Sequence, residues 1–165
     1  MRKLIALLSL FTILGIAFTS CGDDKKDEVE DVVKTGVHKI VVEQSGDIDD
    51  FDLNVTFGGV SLAGPAKLYS ADGEYEGESY SATFKNEKNI TCYTEPDAFF
   101  LTCAGSVSCI TSGKTLKVKV SAYINDKEVD VLEKEYKSDG DVLVESFSHS
   151  TDISMKKNFS VFYEE

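Results

Sequence analysis

The feature that most constrains this chain is an alternation of apolar and polar residues with a period of two, which returns along its length. In DFDLNVTF, Phe51, Leu53, Val55 and Phe57 alternate with Asp52, Asn54 and Thr56; in TLKVKVSAYI, Leu116, Val118, Val120, Ala122 and Ile124 alternate with Lys117, Lys119, Ser121 and Tyr123. SYSATF sets Tyr80, Ala82 and Phe84 in one phase, and NFSVFY does the same with Phe159, Val161 and Tyr163. Successive side chains of an extended backbone point to opposite faces, so each run predicts a strand with one face on a core and the other in water. One segment carries a competing signal. In DKEVDVLEKEYK, Val129, Leu132 and Tyr136 stand at helical spacing, and Asn125 with Glu128 resembles a capping box. The same segment reads as the return strand of a hairpin about Asn125-Asp126. That reading is preferred, because the strand before it needs a neighbour.

Turn formers punctuate the runs: Gly58-Gly59, Gly64-Pro65, Asp72-Gly73, Asn86 to Asn89, Pro96-Asp97, Ser112-Gly113, Asn125-Asp126 and Asp139-Gly140. They supply the positive φ, fixed φ or local side-chain hydrogen bonds that reversals need. Short strands with turns at this spacing predict an all-β fold, an antiparallel β-sandwich of immunoglobulin-like type with seven to nine strands. A lipocalin-like β-barrel is the alternative, and would enclose a ligand cavity.

The N-terminus follows other rules. Arg2 and Lys3 precede a mostly apolar run from Leu4 to Phe18. As a helix this run reaches roughly 22 Å, short of a hydrocarbon core of about 30 Å. A basic start, a short apolar stretch and small residues behind it describe a signal peptide over residues 1–20. Phe18-Thr19-Ser20-Cys21 resembles a bacterial lipobox, and Gly22-Asp23-Asp24-Lys25-Lys26-Asp27-Glu28 is similar to the acidic stretch behind the cysteine of Bacteroidota-type surface lipoproteins. The resemblance implies lipidation at Cys21, an outer-membrane anchor and exposure at the cell surface. Residues 21–35 then form the lipidated cysteine with an acidic tether, and 36–165 the sandwich domain.

Charge narrows the partners. Of 17 Lys and Arg, Arg2 and Lys3 leave with the leader; the remaining 15 stand against 29 Asp and Glu, a net charge of −14. Such a body is repelled by nucleic acid and by anionic lipid headgroups, so the acyl chains alone must hold it to the membrane.

Cys92, Cys103 and Cys109 remain beyond the lipid site. A hairpin about Pro96-Asp97 would set Cys92 opposite Cys103, within disulfide reach. A fold-back at Gly105-Ser106 would pair Cys103 with Cys109 instead, whereas one continuous strand would hold those two roughly 20 Å apart. Three buried thiols are the remaining alternative. No Cys-x-x-Cys and no paired histidine spacing supports zinc. His149 lies among Ser148, Ser150 and Asp152, but no nucleophile elbow accompanies it, and a surface histidine is expected.

Two stretches are candidates for ligands. Asp47, Asp49 and Asp50 crowd a loop before a strand, where carboxylates could hold a structural calcium ion with help from Asp139 and Asp141. YSADGEYEGESY combines Tyr69, Tyr75 and Tyr80 with Asp72 and three glutamates, a composition suited to a sugar- or protein-binding patch. The function these features predict is a non-catalytic, lipid-anchored, monomeric binding module for an extracellular protein or glycan, without a cofactor beyond that calcium. A small-ligand or lipid carrier and a structural subunit of a surface assembly are the alternatives.

Overall fold

The computed structural model describes residues 35–152 except Asn86 and Asp141. Cys21, the tether and the strand expected around NFSVFY lie outside the described residues, as does Asp141.

Among the described residues eleven strands follow one another: β1 (His38–Gly46), β2 (Phe51–Ser61), β3 (Gly64–Pro65), β4 (Leu68–Ser70), β5 (Tyr75–Gly77), β6 (Ser79–Phe84), β7 (Asn89–Thr94), β8 (Ala98–Cys109), β9 (Lys114–Ile124), β10 (Lys127–Ser138) and β11 (Leu143–Ser150). A 3-10 turn, Ile48–Asp50, joins β1 to β2. The strands form two antiparallel sheets. One has six strands in the order β10-β9-β1-β7-β4-β5; the other has five, in the order β11-β8-β2-β3 with β6 also paired to β2. Neither sheet closes on itself, so the architecture is a sandwich and the barrel alternative falls. The strand count exceeds the expected seven to nine because β3, β4 and β5 are only two or three residues long.

The alternation read from the sequence becomes the core. Phe51, Leu53, Val55 and Phe57 of β2 and Leu116, Val118, Val120 and Ala122 of β9 point inward from opposite sheets and are buried. Ile40, Val42, Leu68, Phe84, Ile90, Leu101, Val107, Tyr136 and Phe147 join the cluster, together with Cys92, Cys103 and Cys109. Fully burying each of the larger side chains contributes about 1.5–3 kcal/mol. Gly105 sits inward on β8 because the Phe147 ring of β11 occupies the space a Cβ would need.

The segment with mixed signals is a strand. Asn125 and Asp126 adopt φ of 49° and 62°, and Lys127 pairs with Ile124, which is the two-residue hairpin whose twist suits antiparallel strands. The Asn125 Oδ1 accepts the Val37 N–H at 3.0 Å and ties the turn to the start of β1. A bulge between Glu128 and Asp130 resets the phase of β10, which explains why its sequence resembles a helix at this point.

The predicted turn at Gly58-Gly59 and the alternative fold-back at Gly105-Ser106 do not form. Both pairs lie within long strands, and the reversal after β2 comes at Leu62-Ala63 instead. Many of the reversals do not make hairpins either. β1 to β2, β6 to β7, β7 to β8, β8 to β9 and β10 to β11 all step from one sheet to the other.

Candidate functional site

Those crossings decide the fate of the cysteines. β7 pairs with β1 and β4, while β8 pairs with β2 and β11. The hairpin that would have set Cys92 against Cys103 therefore does not form, and the disulfide expectation is corrected: Cys92, Cys103 and Cys109 are buried free thiols. Cys103 and Cys109 share the continuous strand β8, which keeps them apart. Burial pushes the thiols of Cys92 and Cys103 up to about 12, so neither is a nucleophile near neutral pH. His149 is also corrected. It is buried, because Phe147 and His149 occupy the inward phase of β11, and its Nε2 lies 3.6 Å from Asp130 Oδ2 of β10. The second histidine, His38, is buried with Nδ1 2.7 Å from the Thr151 hydroxyl and Nε2 3.1 Å from the Ala98 carbonyl.

The aspartates before β2 are held by the protein's own cation. Lys114 Nζ lies 2.7 Å from Asp50 and 3.8 Å from Asp47, and Asp47 Oδ2 also accepts the Thr115 N–H at 2.9 Å. Asp49 is exposed. Among the described residues no group of three or more His, Cys, Asp or Glu side chains is placed to hold a metal ion.

The tyrosine patch is partly assembled and partly rearranged. Tyr80 leaves it: on β6 it faces inward and stacks on Phe57, with ring centroids 5.6 Å apart and an interplanar angle of 16°. Asp72 sits exposed at the tip of the β4–β5 hairpin. Tyr69 and Tyr75 pair across that hairpin on the outer face of the six-stranded sheet, with centroids 5.7 Å apart. From Tyr69 the register runs on across the sheet to Tyr93 of β7, Lys39 of β1, Tyr123 of β9 and Glu128 of β10. One outward position per strand thus builds a row of four tyrosines and a lysine over five adjacent strands. At the usual strand spacing the row extends roughly 19 Å.

The row is braced. Lys39 Nζ stands 4.4 Å from the Tyr123 centroid and 5.8 Å from that of Tyr93, and it donates to Asp126 Oδ1 at 2.8 Å. The hydrogen bond to Asp126 raises the Lys39 pKa against the opposing effect of burial. The Tyr123 hydroxyl donates to Glu128 Oε2 at 3.2 Å. Tyr69, Tyr93 and Tyr123 are half-buried, and Tyr75 is 58% exposed. The sequence reading missed Lys39, Tyr93 and Tyr123. The available signal was an aromatic residue in the polar phase of a strand, visible for Tyr123 beside Lys117, Lys119 and Ser121.

The outer face of the five-stranded sheet is different. In register it shows Ser79, Ser81 and Thr83 on β6; Gly58, Thr56 and Asn54 on β2; Thr102, Ala104 and Ser106 on β8; and Ser150, Ser148 and Ser146 on β11. Some of its hydroxyls are bound within the face: Thr56 to Ser81 at 2.9 Å, Thr83 to Asn54 at 2.6 Å and Thr102 to the Gly58 carbonyl at 3.0 Å. An open depression of about 550 Å³ lies here, bordered by Thr56, Ser79, Thr102 and Ser148. A second, of about 670 Å³, lies among Glu43, Lys88, Lys119 and Glu133 on the other sheet. Both are surface hollows, and neither contains the tyrosine row.

No family model and no curated protein matches the sequence. Solved structures do. A domain of unknown function, DUF4425, from Bacteroides vulgatus ATCC 8482 shares 55% identity, covering 71% of this chain and 95% of its own, with a TM-score of 0.69. A DUF4425 family protein from Bacteroides ovatus ATCC 8483 shares 54%, covering 72% and 98%, with a TM-score of 0.70. The calcium-bound form of a protein from Parabacteroides distasonis shares 21%, covering 76% and 99%, with a TM-score of 0.50, a likeness that speaks for the fold alone.

Proposed function

The chain belongs to the DUF4425 family, and on that premise we propose that it is a non-catalytic, lipid-anchored module of the outer membrane that binds an extracellular partner at the cell surface. The observation that carries the binding reading is the tyrosine row on the outer face of the six-stranded sheet. Aromatic side chains with polar tips, held rigidly on strands and left partly open to solvent, are the groups that recognition surfaces favour. The lipobox-like Phe18 to Cys21 and the acidic residues after it support the anchor and the display. Catalysis is left out because the titratable groups best suited to it, Cys92, Cys103 and His149, are buried in the core.

The carrier alternative finds no support in two open sheets with solvent-facing hollows. The assembly alternative draws on β11, a sheet edge among the described residues, beside which Ile110, Val142 and Val144 are 82%, 64% and 71% exposed. Oligomers that grow with concentration would move the reading there. A calcium ion at Asp47 and Asp50 would have to expel the Lys114 ammonium. If Lys114 is what excludes it, Lys114→Met makes calcium binding visible by calorimetry.

The anchor is tested by mass spectrometry of native material and by proteolysis of intact cells. Diacylglycerol on Cys21 and a chain cleaved from outside are expected. An unmodified thiol at Cys21, or a chain protected until the envelope is broken, overturns the corresponding half of the reading.

A further inference from the structure

We propose that the tyrosine row is a platform for an extended, neutral glycan chain that lies across the strands. This rests on the binding reading above and names the chemistry of its ligand. Three properties of the row point to a sugar polymer. It is linear: Tyr75, Tyr69, Tyr93, Lys39 and Tyr123 follow one another across β5, β4, β7, β1 and β9, one position per strand. A row of aromatic rings matches a chain of pyranose rings, whose C–H faces stack on aromatics while their hydroxyls reach sideways.

It also has hydrogen-bonding groups where those hydroxyls would fall. The Lys39 ammonium sits between Tyr93 and Tyr123, and the Glu128 carboxylate lies against the Tyr123 hydroxyl. Finally, it is preorganised. Lys39 is pinned by Asp126 and bridges two of the rings, so little side-chain freedom remains to be lost on binding.

Charge selects the neutral class. Asp72, Glu74, Glu76 and Glu78 are exposed around the Tyr75 end, and Asp126 and Glu128 flank the Tyr123 end. On a chain of net charge −12 these carboxylates repel uronic and sulfated polymers. The only cation of the row, Lys39, already has Asp126 as its partner. A protein partner fits less well. A protein interface concentrates its energy in deeply buried anchors near the centre of a broad patch. Here three of the four tyrosines are half-buried, and the strip is one residue deep along each strand.

The test uses the mature chain carrying Cys21→Ser, in affinity electrophoresis and calorimetry. The probes are soluble neutral polysaccharides (mannan, galactomannan, xylan and a mixed-linkage β-glucan) together with heparin and polygalacturonate. At least one neutral polymer should bind, and the anionic ones should not. Tyr93→Ala and Tyr75→Ala should each weaken binding about tenfold, while Tyr93→Phe, which keeps the ring, should retain most of it. Ser81→Ala and Ser148→Ala on the opposite sheet should leave it unchanged. Circular dichroism and thermal midpoints confirm folding; Tyr75, being largely exposed, tests the row even if Tyr93→Ala fails to fold.

Preference for heparin overturns the neutral class. Neutral-polymer binding that the row variants do not alter overturns the site. Failure of every polymer, with a purified basic protein bound by the parent and lost in Tyr75→Ala, overturns the glycan while leaving the binding reading intact. A chain that binds none of these probes overturns both.

Discussion

The two outer faces of the sandwich are built on the same backbone geometry and present opposite chemistry. On the five-stranded sheet, small residues and hydroxyls fill the register, and Thr56, Ser81, Thr83 and Asn54 satisfy one another across strands. On the six-stranded sheet, long side chains dominate: the tyrosine row at one end and a ladder of charges at the other, with Glu43 and Glu133 both beside Lys119, and Glu135 beside Lys117. Hydroxyls that bond one another across strands have less to offer a ligand. Aromatic rings raised above the sheet and left partly open to solvent, as Tyr69, Tyr75, Tyr93 and Tyr123 are, have more to offer. Two polar surfaces on one fold can therefore differ in function, because what counts is which groups remain unspent.

The largest effect expected from a change to one side lies beneath the hydroxyl face. Gly105→Ala drives a methyl group into the Phe147 ring, and should cost about 2–3 kcal/mol, read as a lowered midpoint in thermal or urea unfolding. A neutral result would mean that β11 is free to shift away from β8.

Alkali acts on the core shared by both sheets. Unfolded cysteine ionises near 9 and tyrosine near 10, whereas burial holds Cys92, Cys103 and Tyr136 protonated up to about 12. Between those limits the folded state binds more protons than the unfolded one, so stability falls as pH rises from 9 towards 12. Cys92→Ala should flatten that fall in pH-dependent melting curves. An unchanged slope would place the cause elsewhere.

The turn that carries Asp126 comes next. Asn125→Ala replaces an Asn, which tolerates positive φ, with a residue that adopts it poorly, and removes the contact to Val37, at a cost of about 1–2 kcal/mol. If the tyrosine face depends on this corner, the Lys39–Asp126 pair should loosen, and the Lys39 pKa, followed by NMR, should fall.

Tyr93→Ala should change stability by about 1 kcal/mol or less while removing the centre of the row. Smallest of all is Ser106→Lys on the hydroxyl face, expected within about 0.5 kcal/mol of the parent and without effect on ligand binding. A Ser106→Lys variant that lost binding would reverse the assignment of the two faces.

Much of the sandwich was legible in the chain. Alternation in β2 and β9 gave the strands and their inward phase, and Asn125-Asp126 named its own hairpin, because both are set by backbone geometry within a few residues. Pro96-Asp97 shows the limit. A turn signal marks a reversal, but it does not say whether the next strand pairs with the last or crosses to the other sheet. Here it crosses, and the expected Cys92–Cys103 hairpin fails for that reason. His149 was misplaced because a polar residue in the inward phase reads as surface until its partner Asp130, from another sheet, is seen. Tyr80 was grouped with Tyr69 and Tyr75 by proximity in sequence, and the step from β5 to β6 separates them.

What the sequence determined by itself is therefore local: which stretches are extended, which side chains face the core, and how strongly acidic the body is. Only the tertiary structure decided which strands lie side by side. That choice brings Lys39, Tyr69, Tyr75, Tyr93 and Tyr123 into one row, although they are scattered over 85 positions of the chain. The physical reason is that strand pairing is a long-range competition between hydrogen-bonded edges, settled by how the two sheets bury their common core and not by any segment alone.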